Sequence, residues 1–521
     1  MSKSLIKLTS AIFRSFANQS PIFETPINLS VREGEKWAVV GKGISKTLLL
    51  GVLNNQYISI PPISRTYPAL TDNSVLPSQA IKFLNFNQRS LPKVHLSARY
   101  EFFKEDLDQT VTNFVESQLV NVGNIKKDEN FINYVLKTFK LDKLSDNWLM
   151  GLSNGQLRRA RFAQALVKRP QVLIVDDPFL GLDPEAATMI SNILREMSNT
   201  GNKGRWPETI VVGLRPQDEL PCWITHVVVL EGNKVVAVGP KEQRLLEKIS
   251  QIETREKQFG SQEGAQVAQK VIEIVWPKIT PTKEKSHIKF DRVAIAYRGK
   301  QIFRDLSFNI NHGEKWHVRG KNGTGKTTLL SLILADHPQS WAASISMDGI
   351  PRKVGSTSYF EINSKIGLTS PELHAIFPNL SVWDSIATGL NIEVSGFTVP
   401  KGLKKGASQK SKMEINKINQ LLEQFPKLEK QKEARFGDLG ISDQKLVLFL
   451  RAIIKSPQLL VLDEAFSCMD EDMIVICKHI VGENWPETIL CVGHLIDEVP
   501  KCEKFVELIG PGKFNVGKVE D

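Results

Sequence analysis

The chain has 521 residues, 41% of them hydrophobic and 24% charged, with 67 Lys and Arg against 57 Asp and Glu for a net charge of +10. That length exceeds one ordinary core and calls for two or more domains of a soluble globular protein. No apolar run approaches the ~18 residues a membrane span requires, so any work at a membrane must go through a partner.

The five cysteines (Cys222, Cys468, Cys477, Cys491 and Cys502) are odd in number and contain no C-x-x-C pair. They argue against a disulfide framework and a zinc site, and for packing thiols in a reducing, intracellular compartment. Part of the positive excess lies in Lys401, Lys404, Lys405, Lys410 and Lys412, mixed with Gly and Ser. That stretch is expected to be a solvated loop, with nucleic-acid or anionic-lipid contact as the alternative.

In chain order, the first 23 residues carry Lys3, Lys7 and Arg14 and no acid. Leu5, Leu8, Ile12 and Phe16 fit one face of a mitochondrial presequence helix, or the same stretch opens a domain as a strand. Trp37-Ala38-Val39-Val40 reads as a buried strand, followed by Gly41-Lys42-Gly43-Ile44-Ser45-Lys46-Thr47 and helical Leu48-Leu49-Leu50. Leu152-Ser153-Asn154-Gly155-Gln156 then precedes a basic helix from Leu157 to Val167. The strand Val172-Leu173-Ile174-Val175 ends at Asp176-Asp177, with Gly181-Leu182-Asp183 beyond. Further strands are expected at Ile210-Val211-Val212, Val227-Val228-Val229-Leu230 and Lys234-Val235-Val236. Strands alternating with helices indicate an α/β fold with a mainly parallel sheet.

Residues 241–286 join this half to the next. Residues 244–259 have helical composition, Gly260-Ser261 is expected to end that helix, and 277–285 carry proline and lysine. A second half then begins at His287-Ile288-Lys289-Phe290 and continues through Val293-Ala294-Ile295-Ala296-Tyr297. Gly34-Glu35-Lys36-Trp37 recurs as Gly313-Glu314-Lys315-Trp316, and Trp206-Pro207-Glu208-Thr209-Ile210 recurs as Trp485-Pro486-Glu487-Thr488-Ile489, both 279 positions on. Between these anchors the offset drifts, with Asp176 matching Asp463. The chain is a tandem duplication. By analogy Leu5 to Phe13 is the first strand of copy one, which makes the cytoplasm the expected compartment and the mitochondrion the alternative.

Copy two holds Gly320-Lys321-Asn322-Gly323-Thr324-Gly325-Lys326-Thr327-Thr328 between a strand and a helix. Glycines let successive backbone N–H groups turn inward toward a phosphate chain, and the helix adds its positive end. Lys326 reaches outer phosphates, and Thr327 offers a hydroxyl to Mg²⁺. Leu459-Leu460-Val461-Leu462-Asp463-Glu464 follows some 140 residues later. Asp463 suits the metal and Glu464 the attacking water. Met469-Asp470 and Val492-Gly493-His494 complete the series.

With these motifs in this order, nearly the whole chain resembles the ATP-binding cassette (ABC) ATPases. Asp336-His337-Pro338-Gln339-Ser340-Trp341 and Ile366-Gly367-Leu368-Thr369-Ser370-Pro371-Glu372-Leu373-His374 resemble the group around the bacterial molybdenum-transport ATPase. The resemblance implies an α/β fold of two tandem P-loop cassettes, residues 1–240 and 287–521 with a linker over 241–286. Each would have a mainly parallel core sheet, an antiparallel β subdomain and a helical signature subdomain. It implies ATP and Mg²⁺ as ligands, and head-to-tail pairing of the cassettes within the chain.

Under that pairing, one composite site joins Gly320, Asn322, Gly323, Gly325, Lys326, Thr327 and Thr328 of copy two with Ser153, Asn154, Gly155 and Gln156 of copy one. Thr327 and Asp463 would hold Mg²⁺, Glu464 would act as general base, His494 would hold the outer phosphate, and Tyr297 would stack on adenine. The other site keeps Lys46 and Thr47, with Asp176 as a weaker metal ligand. Its loop is one residue shorter, Ser45 stands for the glycine before the lysine, Asp177 replaces the catalytic glutamate, and Arg215 matches His494. Its facing signature, Leu439-Gly440-Ile441-Ser442-Asp443, brings a bulky side chain and an acid toward phosphates, which is unfavourable. That site is expected to turn over poorly.

The family's metal-side glutamine also has no counterpart. Its region reads Ser97-Ala98-Arg99-Tyr100 in copy one and Thr369-Ser370-Pro371-Glu372 in copy two, where Glu372 is the substitute to test. Three functions compete: an ATPase driving an unidentified protein partner such as a membrane permease, a ribosome-bound translation factor, and a nucleotide-gated scaffold. Two intact sites and a long charged linker would mark the second; intact Glu464 and His494 count against the third.

Overall fold

The computed structural model describes residues 3–16, 20–72, 75–86, 109–119, 128–149, 152, 154–182, 184–199, 206–207, 209–276, 285–297, 300–321, 323–355, 357–391, 396–404, 408–482, 485–493 and 498–519. They form two compact units, Met1–Glu256 and Lys257–Asp521. This boundary falls inside the stretch expected as a linker.

Unit one contains β1 (Ser4–Arg14), β2 (Ile27–Arg32), β3 (Lys36–Val40), β4 (Ile58–Ile60), β5 (Arg65–Thr66), β6 (Ile81–Asn85), β7 (Val172–Asp176), β8 (Thr209–Leu214), β9 (His226–Glu231) and β10 (Lys234–Pro240). Its core sheet runs β6-β7-β8-β3-β9-β10, parallel except for the β9–β10 hairpin. Every residue of β7 and β8 is buried, which is why these strands read as unbroken apolar runs and not as alternations. A smaller antiparallel sheet pairs β1 with β2, β4 and β5. Leu5, Leu8 and Phe13 therefore lie in a buried strand, as the analogy with copy two requires.

Unit two contains β11 (Ser286–Tyr297), β12 (Lys300–Asn311), β13 (Lys315–Gly320), β14 (Ile345–Met347), β15 (Ile350–Pro351), β16 (Ile366–Thr369), β17 (Leu459–Asp463), β18 (Thr488–Val492), β19 (Lys504–Gly510) and β20 (Lys513–Lys518). Its core sheet runs β16-β17-β18-β13-β19-β20, again parallel but for the last pair. The two orders correspond strand for strand. The duplication is one of topology as well as sequence.

The repeated tetrapeptide owes its persistence to packing. Trp37 and Trp316 are 3% and 1% exposed, and each indole N–H donates to the glutamate two residues before it, at 2.9 Å to Glu35 and 2.8 Å to Glu314. The same carboxylates accept the backbone N–H of Arg32 and Asn311 and so close the turn. A buried indole without that acceptor would leave a costly unmet donor. The second repeat works in the same region. Thr209 Oγ1 donates to the Arg32 carbonyl, and Thr488 Oγ1 accepts from the Gly313 N–H, tying β8 and β18 to the turns that precede β3 and β13.

Two expectations change. A single helix, Gln243–Val275, runs through Gly260-Ser261 without ending. A Cβ on Gly260 would sit 2.9 Å from the Asp472 carbonyl oxygen, and one on Gly264 would sit 2.6 Å from His479 Cδ2. These glycines are helix-packing residues, and close approach offsets the ~1 kcal/mol that glycine costs a helix. The basic stretch is also not all loop: Lys410 and Lys412 belong to helix Gln409–Glu423, and Lys404 pairs with Asp384 at 2.8 Å. Lys405 lies outside the described residues. Of the cysteines, Cys477, Cys491 and Cys502 are buried, whereas Cys222 is exposed.

Candidate functional site

In copy two, β13 leads into the loop and then into helix Lys326–Ile333. Gly320, Gly323 and Gly325 adopt φ of 148°, 80° and 105°, conformations that side chains resist. A Cβ on Gly325 would meet Ile302 Cγ2 at 2.8 Å, so that position is closed on steric grounds too. Lys326 Nζ folds back to donate to the Gly320 and Lys321 carbonyls at 2.7 and 3.2 Å. Thr327 is exposed at the start of the helix.

Parallel pairing of β16 and β17 sets Thr369 opposite Leu462, so both strands end at the same edge of the sheet. Asp463 ends β17, while Ser370 caps helix Pro371–Ile376 and puts Glu372 in its first turn. Burial and then the neighbouring Glu372 and Glu464 carboxylates push the Asp463 pKa up to about 7, against the pull of Lys445 and Lys326. Three carboxylates thus converge beside the loop. Asp463, Glu372 and the Thr327 hydroxyl are oxygen donors of the kind a hard cation such as Mg²⁺ takes. Glu464 has φ 46°, and its N–H donates to the Val492 carbonyl at 2.9 Å. Such a conformation costs ~1–3 kcal/mol in a non-glycine residue and is commonest at active sites. The Glu464 carbonyl accepts from Lys445 Nζ at 2.9 Å and from Ser467 Oγ at 2.7 Å, which fixes the strained turn.

Copy one repeats this frame with different contents. Asp177 has φ 50°, donates its N–H to the Gly213 carbonyl at 3.1 Å, and has its own carbonyl bonded by Arg158 Nη1 at 3.1 Å, as Lys445 does for Glu464. The side chains diverge. Lys46 Nζ pairs with Asp177 Oδ2 at 2.8 Å, with 4% and 0% of the two side chains exposed. Thr47 Oγ1 donates to Asp176 Oδ2 at 2.5 Å. Ser45 is buried, donates to the Lys42 carbonyl at 2.8 Å, and already begins helix Ser45–Leu53. Its N-cap Ile44 is right-handed, and between Gly41 and Thr47 only Gly43 has positive φ. Arg215, where copy two has His494, pairs with Asp218 at 2.7 Å.

The signature segments also correspond. Helices Asn154–Leu166 and Ile441–Ile453 have the same length and begin at matching positions. In copy two the acid at the end of that signature is neutralised locally, since Asp443 Oδ2 lies 2.7 Å from Lys427 Nζ. Ser442 Oγ accepts the Asp470 N–H at 2.9 Å.

Ser153, Asp183, Asn322, His494 and the stretch Ser97-Ala98-Arg99-Tyr100 lie outside the described residues, as do the side chains of Asn154 and Tyr297. Tyr297 is the last residue of β11. The residues brought together within copy two are the loop, Asp463, Glu464 and Glu372. The Lys46–Asp177 pair was not foreseen from the sequence, and only the Glu-to-Asp change hinted at it.

One other cluster was missed. His287, His312 and Asp348 bring three ligand-type atoms within 4.8 Å of one another. The two imidazoles stack at 4.0 Å and 11°, so their in-plane lone pairs do not converge, and Lys365 already lies 3.2 Å from Asp348. This arrangement serves packing against Thr488, whose hydroxyl meets His287 Nδ1 at 2.7 Å.

The family described as ABC transporter matches residues 25–180 and 303–467. An uncharacterised ABC transporter ATP-binding protein of Saccharomyces cerevisiae is 38% identical, covering 100% of this chain and 99% of that protein. An uncharacterised ABC transporter ATP-binding protein of Schizosaccharomyces pombe is 30% identical over 97% and 99%. The ABC transporter ATP-binding protein ModF of Escherichia coli is 27% identical over 77% and 76%. Among solved structures, cbiO1 of Clostridium perfringens aligns at TM-score 0.37 and 21% identity over 47% of this chain and 92% of its own. Among the described residues, no helix is long and apolar enough to cross a membrane.

Proposed function

The chain belongs to the ABC transporter family as a tandem-cassette ATP-binding protein, and from that membership we propose that it hydrolyses ATP at one site, built on the phosphate loop of copy two. The observation that carries this reading is the contrast between two lysines. Lys326 rests on backbone carbonyls beside an exposed Thr327, whereas Lys46 is buried against a carboxylate. Lys326 and the inward N–H groups of the loop bind the phosphate chain and offset its charge. Bound Mg²⁺ supplies Lewis acidity at the outer phosphate. Thr327 and Asp463 would hold it, with Glu372 in the place of the family's glutamine. Glu464 orients the attacking water and accepts its proton, His494 contacts the outer phosphate, and Tyr297 stacks on the base.

From the family resemblance, Ser153, Asn154, Gly155 and Gln156 act as a signature segment in ATP binding. The site built on Lys46, Thr47 and Asp176 is the degenerate member of the pair. Closing and opening of the pair drives a protein partner. The transporter names of the relatives favour a membrane permease in that role, acting from the cytoplasm.

Steady-state phosphate release tests the assignment. Lys326→Ala and Glu464→Gln should each lower turnover by about 100-fold or more, in the range of a lost transition-state contact. Retention of near wild-type turnover in Glu464→Gln would sink the proposed general base. Ser153→Arg should match Glu464→Gln in severity; a mild effect would count against the signature segment's role in turnover.

A further inference from the structure

We propose that the phosphate loop of copy one is closed to nucleotide, with the Asp177 carboxylate standing permanently where a nucleotide's phosphate charge would otherwise meet Lys46. The inference rests on the reading of copy two as the working site, and it specifies the state of the other one.

Three observations within unit one carry it. The Lys46 ammonium and the Asp177 carboxylate are 2.8 Å apart and almost wholly buried. A triphosphate could engage that lysine only by displacing a carboxylate that has no solvent to move into. The loop also lacks the backbone shape of an anion cradle. Copy two sets three glycines at positive φ, the backbone freedom on which an anion cradle draws, whereas copy one has only Gly43 at 59°. Ser45 begins the helix early and turns its hydroxyl back onto the Lys42 carbonyl. Finally, the Thr47 hydroxyl donates to Asp176 Oδ2 at 2.5 Å, so that oxygen already accepts a bond where a cation would draw on it.

The departures form one consistent set. Shortening the loop and removing a glycine weaken phosphate binding. The shorter acid at 177 then supplies the counter-charge from within the protein. Copy one becomes a cassette that contributes its signature segment and is stabilised without nucleotide.

The test is a count of bound nucleotide on the full chain with Mg²⁺ and a fluorescent N-methylanthraniloyl ATP, supported by native mass spectrometry. Wild type should bind one equivalent, Lys326→Ala none, and Asp177→Asn should acquire a second equivalent with at least about 10-fold higher affinity at copy one, as expected for removing one adjacent negative charge. Two equivalents of similar affinity in wild type would overturn the closure while leaving copy two's role intact. No binding in wild type would sink the copy-two reading and leave the closure standing. One equivalent in wild type that survives Lys326→Ala would place nucleotide in copy one and overturn both. If Asp177→Asn folds and stays at one equivalent, Asp177 is not the closing group; if it fails to fold, the wild-type and Lys326→Ala counts still decide.

Discussion

Breaking and then replacing the Lys46–Asp177 pair makes a stringent test of its role. Both side chains lie in unit one, 2.8 Å apart, with 4% and 0% exposure. Breaking a buried ion pair by removing one partner costs about 3–5 kcal/mol, whereas replacing both with apolar groups of similar volume is often close to neutral. Lys46→Met and Asp177→Leu should therefore each lower the unfolding midpoint of copy one by about 6–20 °C, at roughly 2–4 °C per kcal/mol for a unit of this size. The double variant should recover most of the loss, far from the sum of about 6–10 kcal/mol that additive singles would give. Calorimetry and near-UV circular dichroism without nucleotide would measure it. Single variants within 1 kcal/mol of wild type, or a double variant as unstable as the sum of the singles, would falsify the account of a buried compensating pair.

Other outcomes follow from particular contacts. Gly325→Ala should cost about 2–3 kcal/mol and abolish nucleotide binding at copy two, because it combines a positive φ with a Cβ 2.8 Å from Ile302 Cγ2. Gly323→Ala, with φ 80° and open space around it, should cost only about 1 kcal/mol; urea denaturation that ranks the two in the other order would refute the steric argument. Burial, with Asp348 nearby, raises the Glu487 pKa to about 7. Its ionisation therefore opposes folding, and stability is lost as pH climbs from the unfolded value near 4.5 to about 7. Glu487→Gln should be about 1 kcal/mol more stable than wild type at pH 8, after discounting for solvent screening of a half-buried group, and near parity at pH 4.5. A constant difference across that range would exclude the titration. Asp177→Glu, which restores the family's residue, should lower stability by about 1–3 kcal/mol through overpacking at a fully buried site and should not raise phosphate release; a gain in turnover would show that the carboxylate alone limits copy one.

Much of the fold was legible because its signals are local or repeated. The unbroken apolar runs at Val172–Asp176 and Leu459–Asp463 gave parallel core strands, and two anchors at one offset gave the duplication. The glycine spacing of 320–325 is likewise a local record of backbone conformation, and the positive φ values there match it. Gly260 misled for the opposite reason. Its role is set by the Asp472 carbonyl 2.9 Å from where a Cβ would be, a residue more than two hundred positions away. The bond between Trp316 and Glu314 escaped notice although the residues are two apart, since a short motif does not say whether its residues act on a ligand or on each other.

The two sites were legible to different degrees for a physical reason. A working phosphate loop is defined by backbone geometry, which glycine spacing writes directly into the sequence. A closed one is defined by which charge neutralises which, and that depends on burial. Sequence places Asp177 at the catalytic position and implies an acid drawn back by one methylene from its water. In the fold, the same retraction leaves the carboxylate beside Lys46 in a space that excludes solvent. The substitution therefore reads differently once burial is known. It does more than weaken a base: it converts a residue aimed at substrate into a counter-ion for the loop. Loss of glycine at Ser45 and of histidine at Arg215 fits that change, since both act through groups that a bound phosphate would engage, and here both are bonded elsewhere, to the Lys42 carbonyl and to Asp218.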